Sequence, residues 1–136
     1  MIRTIVRDPL LLQMKARKAS SNDIALACDM ADTLDANREN CAGIAANMVG
    51  ENVAIICVMI GSVCTLFFNP EITEKKEPYD AMEGCLSLDG LRKAKRYQKI
   101  TLRFQDMYMQ WHTMTYNCFT AEVIQHECDH LQGILI

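Results

Sequence analysis

The chain has 136 residues, half of them hydrophobic, and its 14 basic and 17 acidic side chains give a net charge of −3. This length predicts one domain spanning residues 1–136. The slightly acidic balance argues against DNA as a partner and against a polybasic membrane anchor. The longest unbroken apolar run, residues 53–60, is far shorter than a membrane span, and no signal peptide is evident. We therefore expect a cytoplasmic protein without membrane attachment.

Seven cysteines occur, an odd number, and their spacing matches no disulfide framework. In a cytoplasmic protein this predicts free thiols, most of them acting as small buried hydrophobic side chains.

The first predicted helix spans about residues 22–37, and Ser20 or Ser21 is expected to cap it. Apolar side chains recur along it at helical spacing, namely Ile24, Ala27, Cys28, Ala31 and Leu34. Residues 41–50 are small, apolar and rich in glycine, which predicts a tight loop.

Residues 53–60 and 63–68 are rich in β-branched and aromatic side chains and predict two strands. Gly61-Ser62 between them is a hairpin signal, and Asn69-Pro70 is expected to end the second strand. Residues 100–105 alternate apolar and polar side chains, and residues 108–116 are the expected partner strand.

The last predicted helix begins near Thr120, runs to about Gln132 and stops at Gly133. Strands precede this helix without strand–helix alternation, which predicts the α+β class rather than a doubly wound sheet. We expect small antiparallel or mixed sheets packed around this central helix.

This helix carries the sequence's strongest chemical signal, His126 and His130 with Glu127 directly after the first histidine. Residues four apart lie on one helix face, so the two imidazoles can bind one metal ion. The carboxylate beside them can then polarise a water molecule at the metal. The competing interpretation is a polar helix with two surface histidines.

A catalytic metal site commonly uses three protein ligands, so a third donor must come from elsewhere in the chain. Cys85 lies in an expected irregular stretch between strands, and a thiolate is a suitable donor. Taken without its neighbours, Cys85 is more typical of a buried free cysteine.

Two segments decide between these readings. Residues 83–87 read Glu-Gly-Cys-Leu-Ser, and residues 125–133 read Gln-His-Glu-Cys-Asp-His-Leu-Gln-Gly. In this order and at this separation they resemble the two strongest motifs of the peptide deformylases, enzymes that remove the formyl group from the N-terminal methionine of new proteins. Weaker resemblance covers most of the chain, at residues 8–10, at Arg96, and at Gly43, Ala45, Ala46, Val49 and Gly50.

The resemblance implies a set of roles for particular residues. Cys85, His126 and His130 would bind the metal, with Fe²⁺ expected in the cell and Zn²⁺ or Ni²⁺ also able to bind. Glu127 would be the general acid and base, and the Leu86 backbone N–H would hold the developing oxyanion. Further contacts to a formylmethionyl peptide are expected from five positions, Gly43, Ile44, Glu83, Gly84 and Arg96. Glu83 and Arg96 are also expected to form an ion pair.

The resemblance also implies a monomer or weak homodimer, with the ribosome as a candidate partner. One departure from the family stands out, because Met48 occupies the position of a glutamine that donates to the formyl oxygen. Loss of one such donor typically lowers turnover by about 100- to 1000-fold. Cys41 also replaces a glycine. We expect a deformylase with reduced activity; the alternatives are a hydrolase of another acyl-amine and a non-catalytic protein that binds formyl peptides or metal.

Overall fold

A single antiparallel sheet, whose five strands follow each other in chain order, forms the framework of the molecule. The computed structural model describes residues 1–136. The strands are β1 (Gly43–Ala45), β2 (Ile55–Ile60), β3 (Val63–Glu83), β4 (Arg92–Gln105) and β5 (Trp111–Asn117). The helices are α1 (Pro9–Leu12), α2 (Ile24–Ala36) and α3 (Cys118–Leu131), with short 3₁₀ turns at Ser21–Asp23 and Ala46–Val49. The predicted α+β class is confirmed, with one sheet in place of several.

The hairpin predicted at Gly61-Ser62 joins β2 and β3, where Ile60 pairs with Val63 and Gly61 has a φ of 62°. Positive φ is easy for glycine, which explains the turn. The first four residues of β2 are buried, and α2 packs on β2 and β3. The core therefore lies between the sheet and the helices.

Asn69-Pro70 does not end β3, as the sequence predicted, since the strand continues to Glu83. The register between β3 and β4 shifts after Phe68, which marks a bulge where Pro70 needs no ladder hydrogen bond. Asn69 has a φ of 50° there, and its side-chain amide donates to the Ala19 carbonyl oxygen at 3.0 Å and to Gln105 at 2.7 Å. These distant partners hold the bulge and let the strand resume.

The segment predicted as a tight loop, residues 41–50, is also more regular than expected. It contains β1, which pairs with β2, followed by a 3₁₀ turn that ends at Gly50 with a φ of 89°. β1 lies at the edge of the sheet, so only one of its sides is paired to another strand.

Helix α2 confirms the first predicted helix. Ser20 forms a capping box with Asp23 at the start of the 3₁₀ turn Ser21–Asp23, which leads directly into α2. Helix α3 begins at Cys118, two residues before the predicted start at Thr120, and Asn117 is its N-cap residue. It stops as predicted before Gly133, whose φ is 78° and where a Cβ atom would lie 2.2 Å from the Gln13 carbonyl oxygen. No helix combines the length and the apolar character needed to cross a membrane.

Candidate metal centre

Helix α3 brings His126 and His130 together one turn apart. Their Nε2 atoms are 3.1 Å from each other, and both rings are buried. Two nitrogen ligands of one tetrahedral metal ion, each roughly 2.0–2.1 Å from it, lie roughly 3.3 Å apart. The histidine pair therefore has the spacing of two donors to one ion.

The loop that leaves β3 adds the third donor. Cys85 Sγ lies 3.4 Å from His130 Nε2, and the donor atoms of Cys85, His126 and His130 all lie within 4.8 Å of one another. The Ser87 backbone N–H donates to Cys85 Sγ at 3.4 Å, which holds the sulfur in place beside the histidines. One thiolate and two imidazoles form a donor set that fits zinc or another late first-row divalent metal.

A buried chain of charged groups holds His126 in place. Its Nδ1 lies 2.8 Å from Glu83 Oε1, and Glu83 in turn pairs with Arg96 at 2.7 Å. Arg96 also pairs with Asp129 at 2.7 Å, so the chain links β3, β4 and α3. The expected ion pair between Glu83 and Arg96 is present. Because Glu83 accepts at Nδ1, the other ring nitrogen of His126 faces Cys85 and His130.

The pKa values of the two imidazoles are shifted in opposite directions. Burial disfavours a charge on His126, but hydrogen bonds with Cys85 and Glu83 outweigh it and raise its pKa to about 10. Burial and the neighbouring His126 lower the pKa of His130 to about 3. A metal ion in the cluster must displace the proton of His126, so binding releases a proton.

Glu127 lies beside this cluster and is buried, with 3% of its surface exposed. Burial raises its pKa to about 7, an effect that His126 opposes. Its Oε1 atom has no hydrogen-bond partner in the protein. A carboxyl group that titrates near neutral pH can both accept and return a proton during a reaction.

A cavity of about 400 Å³ opens onto the cluster. Of the residues that the sequence nominated for the site, eight line it: Gly43, Met48, Glu83, Gly84, Cys85, Leu86, His126 and Glu127. The other three lie outside the lining. Ile44 is fully buried in β1, Arg96 is buried and pairs with Glu83, and His130 has no exposed surface.

Among the residues near the site that the sequence analysis did not name, Glu122 and Asn47 make specific hydrogen bonds. Glu122 lines the cavity and accepts a hydrogen bond from the Tyr79 hydroxyl at 2.8 Å. Helical spacing places it on the same face of α3 as His126, one turn earlier, but does not show that this face lines a cavity. Asn47, next to Met48, is buried and its amide donates to the His130 carbonyl oxygen at 2.8 Å, a contact that no local pattern reveals.

The fold and the site together define a class of protein, the metal-dependent α+β hydrolases. The sheet is antiparallel, one helix carries His126, Glu127 and His130, and the loop after β3 supplies a thiol. The sequence model of the family described as polypeptide deformylase matches residues 2–136. A peptide deformylase of Clostridium beijerinckii is 43% identical over 136 residues, covering 100% of both chains. The chain therefore belongs to the polypeptide deformylase family.

Solved structures agree with this assignment. A peptide deformylase of Legionella pneumophila is 29% identical, with a TM-score of 0.89 over 99% of this chain and 83% of its own. The enzyme of Thermotoga maritima is 27% identical, with a TM-score of 0.88 over 99% of this chain and 95% of its own. The function of this chain is thus that of a deformylase, a metallo-amidohydrolase that acts in protein biosynthesis.

Proposed function

We propose that this chain hydrolyses the formyl amide of N-formylmethionyl peptides, with Cys85, His126 and His130 as ligands of one divalent metal ion. The observation that carries the proposal is the convergence of these three donors beside buried Glu127 at the base of one cavity. Fe²⁺ is the proposed ion in the cell, and Zn²⁺ or Ni²⁺ suits the same donors. When bound, the metal supplies Lewis-acid polarisation of the formyl group and acidifies a water molecule.

Glu127 carries the proton through the reaction. It takes a proton from the attacking water, whose oxygen forms a bond to the formyl carbon. It then delivers that proton to the amide nitrogen as the carbon–nitrogen bond breaks. The products are the free amine and formic acid, which loses its proton to solvent to give formate. Its pKa of about 7, raised by burial, suits both transfers near neutral pH.

The developing negative charge on the formyl oxygen needs hydrogen-bond donors. The proposed donor is the backbone N–H of Leu86, which lines the cavity next to Cys85. Met48 lines the same cavity but offers a thioether in place of an N–H group. This difference supports a reduced deformylation rate.

The remaining proposed roles concern positioning of the peptide. Gly43 and Gly84 line the cavity beside the metal donors, where their backbone groups are proposed to contact the peptide. Ile44 belongs to the edge strand β1, and the Glu83–Arg96 pair sets the orientation of His126. Newly made proteins are the proposed substrate, which places the reaction in the cytoplasm near the ribosome, with a monomer or weak homodimer as the working state.

A second candidate is hydrolysis of a different acyl-amine, and Met48 favours it. Only 1% of its surface is exposed, and its apolar side chain occupies the place of the expected donor. A role in binding alone fits the site less well, because a structural metal site has no use for a buried carboxylate beside the ion.

The deciding experiment measures turnover of formyl-Met-Ala-Ser by anaerobically prepared, iron-loaded protein. We expect turnover in the native chain and a loss of about 1000-fold in Glu127→Gln, with iron still bound as shown by elemental analysis. Glu71→Gln removes a carboxylate with 65% of its side chain exposed and should behave as the native protein. Absence of turnover in the iron-loaded native chain would contradict the proposal, and so would an active Glu127→Gln.

A further inference from the structure

The wall of the cavity is acidic. Three carboxyl side chains line it, those of Glu83, Glu122 and Glu127, and no lysine or arginine does. The charge of Glu83 is neutralised by Arg96, and Glu127 lies at the reacting end. Glu122 has no lysine or arginine within ion-pair distance; its neighbours are the neutral hydroxyl of Tyr79 and the carboxyl of Glu83. Of the lining carboxyls away from the reacting end, it is thus the one without a cationic partner.

The surroundings of Glu122 are otherwise apolar. Met82, Phe119 and Val123 line the same cavity, and the first two have more than half of their surface exposed. Because these apolar walls supply no charge of their own, the Glu122 carboxyl decides which sign of ligand charge is favoured beside them. Burial raises the pKa of Glu122. The hydrogen bond from Tyr79 lowers this pKa, and the neighbouring Glu83 raises it further. A cationic ligand group would offset both the burial and the repulsion from Glu83, and would lower the pKa of Glu122 again.

The distance from the reacting atoms identifies which ligand group meets Glu122. Residues four apart on a helix have Cβ atoms roughly 5–6 Å apart, so Glu122 lies one turn from His126. A formyl group at the metal cluster is attached to the amine of the first residue of the peptide. The side chain of that first residue begins one bond from the carbon next to the amine, and a side chain of methionine or lysine length can span one helical turn. We therefore assign this side chain as the substrate group that reaches Glu122.

We propose that Glu122 is a specificity-determining residue that favours formyl peptides whose first side chain carries a cation or an N–H donor, and disfavours acidic ones. The inference rests on the proposed function, since it assumes that the formyl group lies at the metal cluster. Methionine, a neutral side chain, is accommodated by the apolar walls without help from Glu122. The Tyr79 hydroxyl, 2.8 Å away, keeps the carboxylate aimed into the cavity.

The test compares kcat/KM for formyl-Xaa-Ala-Ser peptides in which the first residue is norleucine, lysine or glutamate. Lysine and norleucine share the same hydrocarbon chain, so their ratio isolates the ammonium group. We expect Glu122→Gln to lower the lysine-to-norleucine ratio about tenfold, equal to about 1.4 kcal/mol, and to raise the glutamate-to-norleucine ratio. Glutamine still accepts from Tyr79, so only the charge changes. Glu71→Gln, the exposed control, should leave both ratios as in the native chain.

Unchanged ratios in a folded Glu122→Gln variant would overturn the inference. If that variant does not fold, Glu122→Leu replaces it and carries the same expectation. If the native chain turns over none of the peptides, calorimetric binding of the same three peptides to iron-loaded protein decides. A preference for lysine that Glu122→Gln abolishes would then support Glu122 while the proposed deformylation fails; equal binding of all three would reject Glu122 independently.

Discussion

Met48 is a buried residue of the cavity wall. Its Sδ atom accepts a hydrogen bond from the Ala45 backbone N–H at 3.3 Å, within the buried turn after β1. A glutamine of similar length can accept from the same N–H through its oxygen and present its NH₂ group to the cavity. The local packing is therefore compatible with the donor that the family expects.

We predict that Met48→Gln raises kcat/KM for formyl-Met-Ala-Ser by about tenfold or more, because it adds a donor for the developing oxyanion. Met48→Leu, which adds no donor, is the control and should not gain activity. Thermal unfolding of both variants checks that the turn keeps its packing. An unchanged rate in a folded Met48→Gln would refute the missing-donor account of this site.

The contact between β1 and α3 depends on a glycine. A Cβ atom at Gly43 would lie 2.6 Å from Val123 Cγ1 and 3.1 Å from Glu127 Oε2. Both distances are shorter than normal packing allows, so the strand can approach the helix only without a side chain there. Gly43 thereby fixes how close the edge of the sheet comes to the Glu127 carboxylate.

We predict that Gly43→Ala lowers the free energy of unfolding by about 1–3 kcal/mol and lowers kcat by displacing Glu127. Denaturant unfolding and turnover measure the two effects separately. For stability, Gly84→Ala is the matched control, since its Cβ atom would lie 3.4 Å from the flexible Leu91 side chain. Equal unfolding free energies for the two variants would show that β1 and α3 can separate freely.

Local patterns predicted the elements that local interactions form. The periodicity of α2, the Gly61-Ser62 hairpin and the glycine that ends α3 all appear as expected. The continuation of β3 beyond Pro70 depends on Asn69 bonding to Ala19 and Gln105, which are 50 and 36 residues away. No signal near Asn69 in the sequence reports those partners.

The residues of the site likewise fall into those that local spacing predicted and those that it did not. His126 and His130 lie on one helix, so their spacing alone indicates that they bind the same metal ion. Cys85 lies 45 residues from His130, and only the resemblance to a family connected the two before the structure did. Glu122 was missed because a carboxylate on a helix is usually solvated, and its placement in a cavity follows from how α3 packs.

Considered across the fold, a bound metal acts as a cross-link between the loop after β3 and α3. A ligand that binds only the folded chain stabilises it by about 2.7 kcal/mol at a hundredfold excess over its dissociation constant. We predict that chelation of the metal lowers Tm, by about 4 °C for each kcal/mol lost. Cys85→Ser should bind metal more weakly and show a smaller chelator shift. Scanning calorimetry with and without chelator makes the measurement; an undiminished shift in Cys85→Ser would remove Cys85 from the ligand set.

The buried charges behind His126 have a consequence for how this chain can evolve. Only 5% of the Arg96 side chain and 6% of the Glu83 side chain are exposed. Loss of one partner from a buried ion pair typically costs about 3–5 kcal/mol, whereas replacing both can be nearly neutral. Single substitutions at either position should therefore be purged, and the two positions should be inherited as a pair. A lineage that replaces both residues with apolar ones keeps its core but loses the Glu83 carboxylate that orients His126.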